Sequence, residues 1–272
     1  MTVTDLITAV GDSRRYNFHS HTQYCDGRAT IEEFAEAAVA VGMKHYGFSP
    51  HSPIPFESPC NMSFEDVPRF IEDVKKMQKR YDGKIKFYTA MEVDYLDSDW
   101  GPAVDYFKGL PLDYIIGSVH FLPSDQGGYV DIDGGYERFQ NYMTEHFHND
   151  IRHVVELFFD RSEAMLQAGG FEIIGHFDKI THNASIHFPA LEEQPWYHRR
   201  VNDLIDLIAE KGVIAEINTK AYTREGRFYP SSTLFRRLID THIPLLVNSD
   251  THYPALIDAS RADAFTVLDK SS

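Results

Sequence analysis

Seven short runs of apolar, β-branched or aromatic residues recur along the chain, at 16–19, 45–48, 85–93, 114–121, 171–177, 213–218 and 244–248. Several are continuous, such as Tyr-Ile-Ile-Gly-Ser-Val and Val-Ile-Ala-Glu-Ile. Unbroken apolar runs suit strands buried on both faces, as in a parallel sheet covered by helices. Helical spacing fills most of the intervals. Thr30-Ile-Glu-Glu33 is a capping box that opens a helix through about Val41. Further helices are predicted over 63–81, 136–159, 196–211, 231–241 and 254–268. Strand alternating with helix implies repeated βα units and a parallel sheet. Seven strands in 272 residues predict a closed or nearly closed barrel, with a doubly wound open sheet as the second choice. The proline-dense stretch 52–60 reads as a loop, and the turn-rich stretch 125–135 as a loop or small hairpin. Neither separates two halves, so 1–272 is read as one domain.

Charge excludes some partners. The 26 Lys and Arg against 41 Asp and Glu give a formal net charge of −15. A nucleic-acid or anionic-membrane surface needs clustered cations instead. No run of 18 apolar residues occurs, and no signal peptide is visible, so nothing is expected to span a membrane. Two cysteines, Cys25 and Cys60, are expected as free thiols in a reduced, cytoplasmic protein.

The 14 histidines carry the functional signal. Six of the seven runs end at or near a potential metal ligand: His19-Ser-His21, His51, Glu92, His120, His176 and Asp250-Thr-His252. In a parallel barrel the C-terminal strand ends share one face, where residues distant in sequence meet. Side chains alternate along a strand, so the two rings of His19-x-His21 point the same way. Each piece alone fits a packed or solvated side chain. Together they require a partner, because burying so many imidazoles and carboxylates uncompensated is costly. Divalent cations supply it, and this donor set suits zinc, iron or manganese.

The ordered set His19-x-His21, Asp26, His51, Glu92, His120, His176 and Asp250-x-His252 resembles the polymerase-and-histidinol-phosphatase (PHP) family of metal-dependent phosphoesterases. The likeness runs from Asn17 to His252. Within that family, His19-Ser-His-Thr-Gln-Tyr-Cys-Asp-Gly27, Ser49-Pro-His-Ser52, Gly117-Ser-Val-His-Phe121 and Gly175-His-Phe-Asp178 are most similar to the stand-alone histidinol-phosphate phosphatases. The resemblance implies a single-domain α/β fold, a distorted (β/α)7 TIM-like barrel. It implies three divalent transition-metal ions, with zinc, manganese or iron as candidates. His19, His21, Glu92 and Asp250 would hold the first, and Glu92 would bridge to a second completed by His120 and His176. Asp26, His51 and His252 would hold the third. Other branches often carry a histidine at the Asp26 position, and the carboxylate here suits a harder metal.

The implied reaction is hydrolysis of L-histidinol phosphate to L-histidinol and phosphate, in histidine biosynthesis. A hydroxide bridging two metals would attack phosphorus directly, so no phosphoenzyme is needed. Three divalent ions (+6) against three carboxylates (−3) leave the site at about +3, a field that suits a phosphate monoester. Glu92 is the expected catalytic bridge, and Asp26 and His252 are the expected proton handlers, acting through water. Lys179, Arg224 and Arg227 are candidate phosphate donors. Glu216 and Glu57 are candidate walls for the cationic head group of a small-molecule substrate. The remaining histidines are assigned to surface or packing. The competing expectations are a PHP phosphoesterase acting on nucleotides or oligonucleotides, which the −15 charge disfavours, and a metal-binding module without turnover.

Overall fold

The computed structural model describes residues 1–11 and 13–271. Seven parallel strands form its centre: β1 Tyr16–Asn17, β2 His45–Phe48, β3 Lys86–Asp94, β4 Tyr114–Ser118, β7 Ile173–Ile174, β8 Ile214–Asn218 and β9 Leu245–Asn248. They pair in the order β1-β2-β3-β4-β7-β8-β9. Between β4 and β7 an antiparallel hairpin, β5 Phe121–Pro123 with β6 Tyr129–Asp131, rises from the sheet. It corresponds to the turn-rich segment, whose tip is Asp125 to Gly128.

The sheet curls until its two edges meet. Across that seam Ser20 forms a parallel bridge with Thr251, and the His21 N–H donates to the Thr251 carbonyl at 2.9 Å. Side chains do the rest. Asn248 Oδ1 accepts from the Phe18 N–H (2.8 Å), Asn17 Oδ1 from the Ser249 N–H (2.9 Å), and the Tyr16 hydroxyl from the Val247 N–H (3.0 Å). The result is a nearly closed barrel.

Inside it, Phe18, Tyr88, Tyr114, Ile116, Ile173, Ile214 and Leu246 form one apolar layer. Leu6 and Val10 of the N-terminal helix Val3–Val10 join that layer. A larger apolar shell lies between the strands and the outer helices. Both layers are buried, as unbroken apolar strands require.

Several helix expectations need correction. The stretch 136–159 is not one helix but two, Tyr136–His146 and Ile151–Ala168. His148 and Asn149 between them have φ of 49° and 58°. Asp150 then caps the second helix by accepting from the His153 N–H at 3.0 Å. The apolar spacing continues across the break, which is why periodicity alone joins the two. The last helix is also displaced, to Arg261–Ser271, after a short turn at Pro254–Leu256. The helices Val3–Val10 and Ile180–His187 were not anticipated.

Candidate metal centre

The candidate ligands stand at or within a few residues of the C-terminal end of a barrel strand, except Glu92, which lies within the long strand β3, and Asp26, which lies on a turn. His19 and His21 follow β1, His51 follows β2, His120 follows β4, His176 follows β7, and Asp250 and His252 follow β9. Asp26 lies on the turn after His21. That turn is tight: a Cβ on Gly27 would fall 2.3 Å from the Thr22 backbone nitrogen, so glycine is required there. Backbone strain marks two other candidate ligands. His176 and Asp250 have φ of 22° and 47°, a region that L-residues enter at a cost of about 1–3 kcal/mol and that clusters at functional sites.

All nine side chains meet in one cup. Glu92 lies at its centre. Its Oε2 is 3.1 Å from His19 Nε2, 3.1 Å from His51 Nδ1 and 3.5 Å from His21 Nε2. Its Oε1 is 2.9 Å from His176 Nε2 and 3.5 Å from His120 Nε2, and those two nitrogens are 3.3 Å apart. Asp250 Oδ1 is 2.9 Å from His21 Nε2 and 3.8 Å from His19 Nε2. At the rim, Asp26 Oδ2 is 3.2 Å from His252 Nε2, and Asp26 Oδ1 is 3.7 Å from His21 Nδ1 and 3.9 Å from His51 Nε2.

The donor set fits metal ions on the structure's own terms. Buried atoms that face the cup have no aligned hydrogen-bond partner among the described residues: His19 Nε2, His21 Nε2, His51 Nδ1, Glu92 Oε2 and Asp26 Oδ1. Orphan buried polar atoms are rare and expensive. Here several lone pairs converge without pairing with one another, which is the geometry a cation needs. Four groupings of these residues bring one donor atom each within 4.8 Å of the others.

Electrostatics points the same way. Burial raises the Glu92 carboxyl, but His19, His120 and His51 override it and hold the group well below the usual carboxylate range. Asp250 is likewise held low, by Lys220 and His19 against burial. Burial pulls the His21, His51 and His176 rings below their ordinary value, toward the neutral form that ligates metals. Burial also opposes charge on His120, yet Asp94 and Glu92 lift it to about 9. Anionic carboxylates among dehydrated imidazoles create a demand for positive charge in the cup.

Two carboxylates orient the rings from behind. Glu216 Oε1 is 2.7 Å from His19 Nδ1, and Asp94 Oδ1 is 2.7 Å from His120 Nδ1. Each leaves the other ring nitrogen aimed into the cup, the arrangement that fixes the tautomer of a metal-ligating histidine. Sequence reasoning passed over Asp94. Its signal was the spacing Glu92-x-Asp94, two acids on one side of one strand.

Glu216 corrects an expectation. It is fully buried beneath His19 and also accepts from the His176 N–H (3.1 Å) and from Asn218 and Asn248, so it does not line a head-group wall. Glu57 is exposed on the 52–63 loop. Arg224 points outward, with 82% of its side chain exposed, and pairs with Glu225. Arg227 is turned inward onto Glu192 (2.7 Å) and the buried Asp178 (3.5 Å). Arg227 is therefore held in ion pairs away from the role of a free phosphate donor. Lys179 is partly buried and held by Asp133 at 2.6 Å. Cys25 and Cys60 are free; burial pushes the Cys25 thiol up to about 12.

A parallel barrel carrying a histidine–carboxylate centre at its C-terminal strand ends defines a class of metal-site α/β barrels. Comparison with known proteins makes the class specific. The chain belongs to the PHP domain family, whose model matches residues 17–220. Among curated relatives, the histidinol-phosphatase of Bacillus subtilis is 26% identical over 254 residues, covering 86% of this chain and 92% of that protein. A Deinococcus radiodurans protein named "Probable histidinol-phosphatase" is 26% identical over 255 residues, 90% of this chain and 89% of its own length. The fold is shared with hisK of Listeria monocytogenes (TM-score 0.81, 19% identity, 91% of this chain and 99% of that one). It is also shared with the histidinol phosphate phosphatase of Lactococcus lactis, solved with zinc, L-histidinol and phosphate (TM-score 0.72, 18% identity, 95% and 94%).

Proposed function

We propose that this chain is a metal-dependent phosphomonoesterase that hydrolyses L-histidinol phosphate to L-histidinol and inorganic phosphate. One observation carries the reading: nine imidazoles and carboxylates converge on a cup where several buried donor atoms have no hydrogen-bond partner among the described residues. The names of its curated relatives supply the substrate.

His19, His21, Glu92 and Asp250 would hold a first divalent ion. Glu92, His120 and His176 would hold a second, and their mutual distances of 2.9–3.5 Å support that grouping. Asp26, His51 and His252 would hold a third, with zinc, manganese or iron as the metal. Such ions, when bound, lower the pKa of coordinated water and offset the charge on phosphoryl oxygens.

The protein's own groups do the rest. Glu216 and Asp94 lock the His19 and His120 rings. Asp26 and His252 sit toward the rim, with side chains 24% and 12% exposed, where the departing alcohol and its water would lie. They are assigned the handling, through water, of the proton that this alcohol needs. Lys179, fixed by Asp133, adds positive charge beside the cup. A small-molecule substrate agrees with the −15 net charge, which disfavours nucleic acid. Among the described residues no helix is long and apolar enough to cross a membrane. A cytoplasmic place in histidine biosynthesis goes with this reading.

The test is phosphate release by zinc- or manganese-loaded protein from histidinol phosphate, nucleoside monophosphates and a short oligonucleotide. Histidinol phosphate should be preferred in kcat/KM. Preferential turnover of a nucleotide would overturn the assignment, and fewer than two transition-metal ions per chain by elemental analysis would break the cluster.

A further inference from the structure

Lys220 stands two residues beyond the end of β8, and its backbone N–H donates to Asn218 Oδ1 at 3.0 Å. Its side chain reaches back over the cup. Nζ lies 3.4 Å from Asp250 Oδ1 and 3.3 Å from His252 Nε2. Both partners belong to the proposed donor set. The side chain is 39% exposed, so the ammonium can swing without disturbing packing.

His252 Nδ1 faces the Asp250 carbonyl at 3.1 Å, which leaves Nε2 with one lone pair toward the cup. That lone pair can accept from the Lys220 ammonium or ligate an ion, and it cannot do both. Asp26 Oδ2, 3.2 Å from the same nitrogen, would draw the ion to this place. A divalent ion there also repels the ammonium. The displaced ammonium then needs another acceptor within reach of its stem. Asp133, whose carboxylate feels both Lys179 and Lys220, is already paired with Lys179 at 2.6 Å. The Asp26, Glu92 and Asp250 carboxylates belong to the proposed donor set, and an incoming phosphoryl oxygen is an anionic acceptor outside it.

We infer that Lys220 is a positioning residue with two stations: its ammonium competes with a metal ion for His252 and Asp250, and it holds a phosphoryl oxygen once the ion has displaced it. The inference rests on the phosphoesterase reading above.

Two titrations by calorimetry test it, on the full chain. Zn²⁺ is titrated into chelator-treated protein, and inorganic phosphate into zinc-saturated protein, for wild type, Lys220→Met and Lys220→Arg. Loss of the competing charge should tighten the weakest Zn²⁺ step of Lys220→Met by about tenfold. Loss of a charge-assisted hydrogen bond should weaken phosphate binding by about 10- to 100-fold, with Lys220→Arg restoring most of it. The two shifts have opposite sign, which a merely structural role would not produce. An unchanged Zn²⁺ step, or an unchanged phosphate affinity, overturns the inference. Wild-type protein that takes up no Zn²⁺ at all would instead overturn the metalloenzyme reading on which it rests.

Discussion

At the scale of single residues, the site depends on groups that never face the substrate. Glu216 fixes which nitrogen of His19 is free, through a 2.7 Å contact. Glu216→Gln keeps the shape but removes the charge, and metal affinity should fall about 10- to 100-fold in a Zn²⁺ titration while circular dichroism stays unchanged. The two arginines should separate sharply. Arg224→Ala removes an exposed side chain and should leave KM for the phosphate ester unchanged within about twofold. Arg227→Ala leaves Asp178 buried without its cationic partner. Such a loss costs about 3–5 kcal/mol, seen as a Tm lower by roughly 10 °C or more in calorimetry. Eight of the nine candidate ligands were legible in the sequence because a histidine or acid at or near the end of an apolar run is conspicuous; Asp26 closes no run and was legible only through the family resemblance. Depth was not legible. Alternation tells which face of β8 Glu216 occupies, but not that the ring of His19 covers it. Nor does sequence tell whether a loop arginine such as Arg227 turns inward to a buried carboxylate.

At the scale of elements, the strands were easier to read than the helices. Runs at 45–48 and 244–248 match β2 and β9 within a residue, because burial on both faces leaves no polar interruption. The split at 147–150 was hidden by apolar residues that keep helical spacing on both sides, Phe147 and Ile151 among them. The polar triplet His148-Asn149-Asp150 was the available signal, since Asn tolerates a left-handed backbone and Asp caps a helix. His148 has an exposed side chain and φ of 49°. His148→Gly should relieve that conformation and stabilise the protein by about 1 kcal/mol, a Tm rise of roughly 2–4 °C in a thermal melt. A fall in Tm would show that the imidazole contributes more than the backbone costs.

At the scale of the whole molecule, acidic charge and anionic substrate coexist because local ions outweigh distant carboxylates. The net charge of −15 is a sum over the whole chain, whereas Glu92, Asp250 and five buried imidazoles lie within one cup, with His252 at its rim. Ions bound only by the folded chain stabilise it by mass action, about 4 kcal/mol at a thousandfold excess over Kd for one site. Treatment with EDTA should therefore lower Tm by several degrees, and re-addition of Zn²⁺ or Mn²⁺ should restore it. A Tm indifferent to chelation would mean that the cup holds no tightly bound ion.

The seam has a temporal consequence. Asn17 pairs with Ser249, and His21 with Thr251, partners more than two hundred residues apart. During synthesis His19 and His21 leave the ribosome long before Asp250 is made, so a nascent chain carries the two histidines without the Asp250 carboxylate that completes their set. Contacts of such long range form late and slow the search for the native topology. Metal captured early, by a half-made chain, would be held by an incomplete set, which the last strand completes only when it docks.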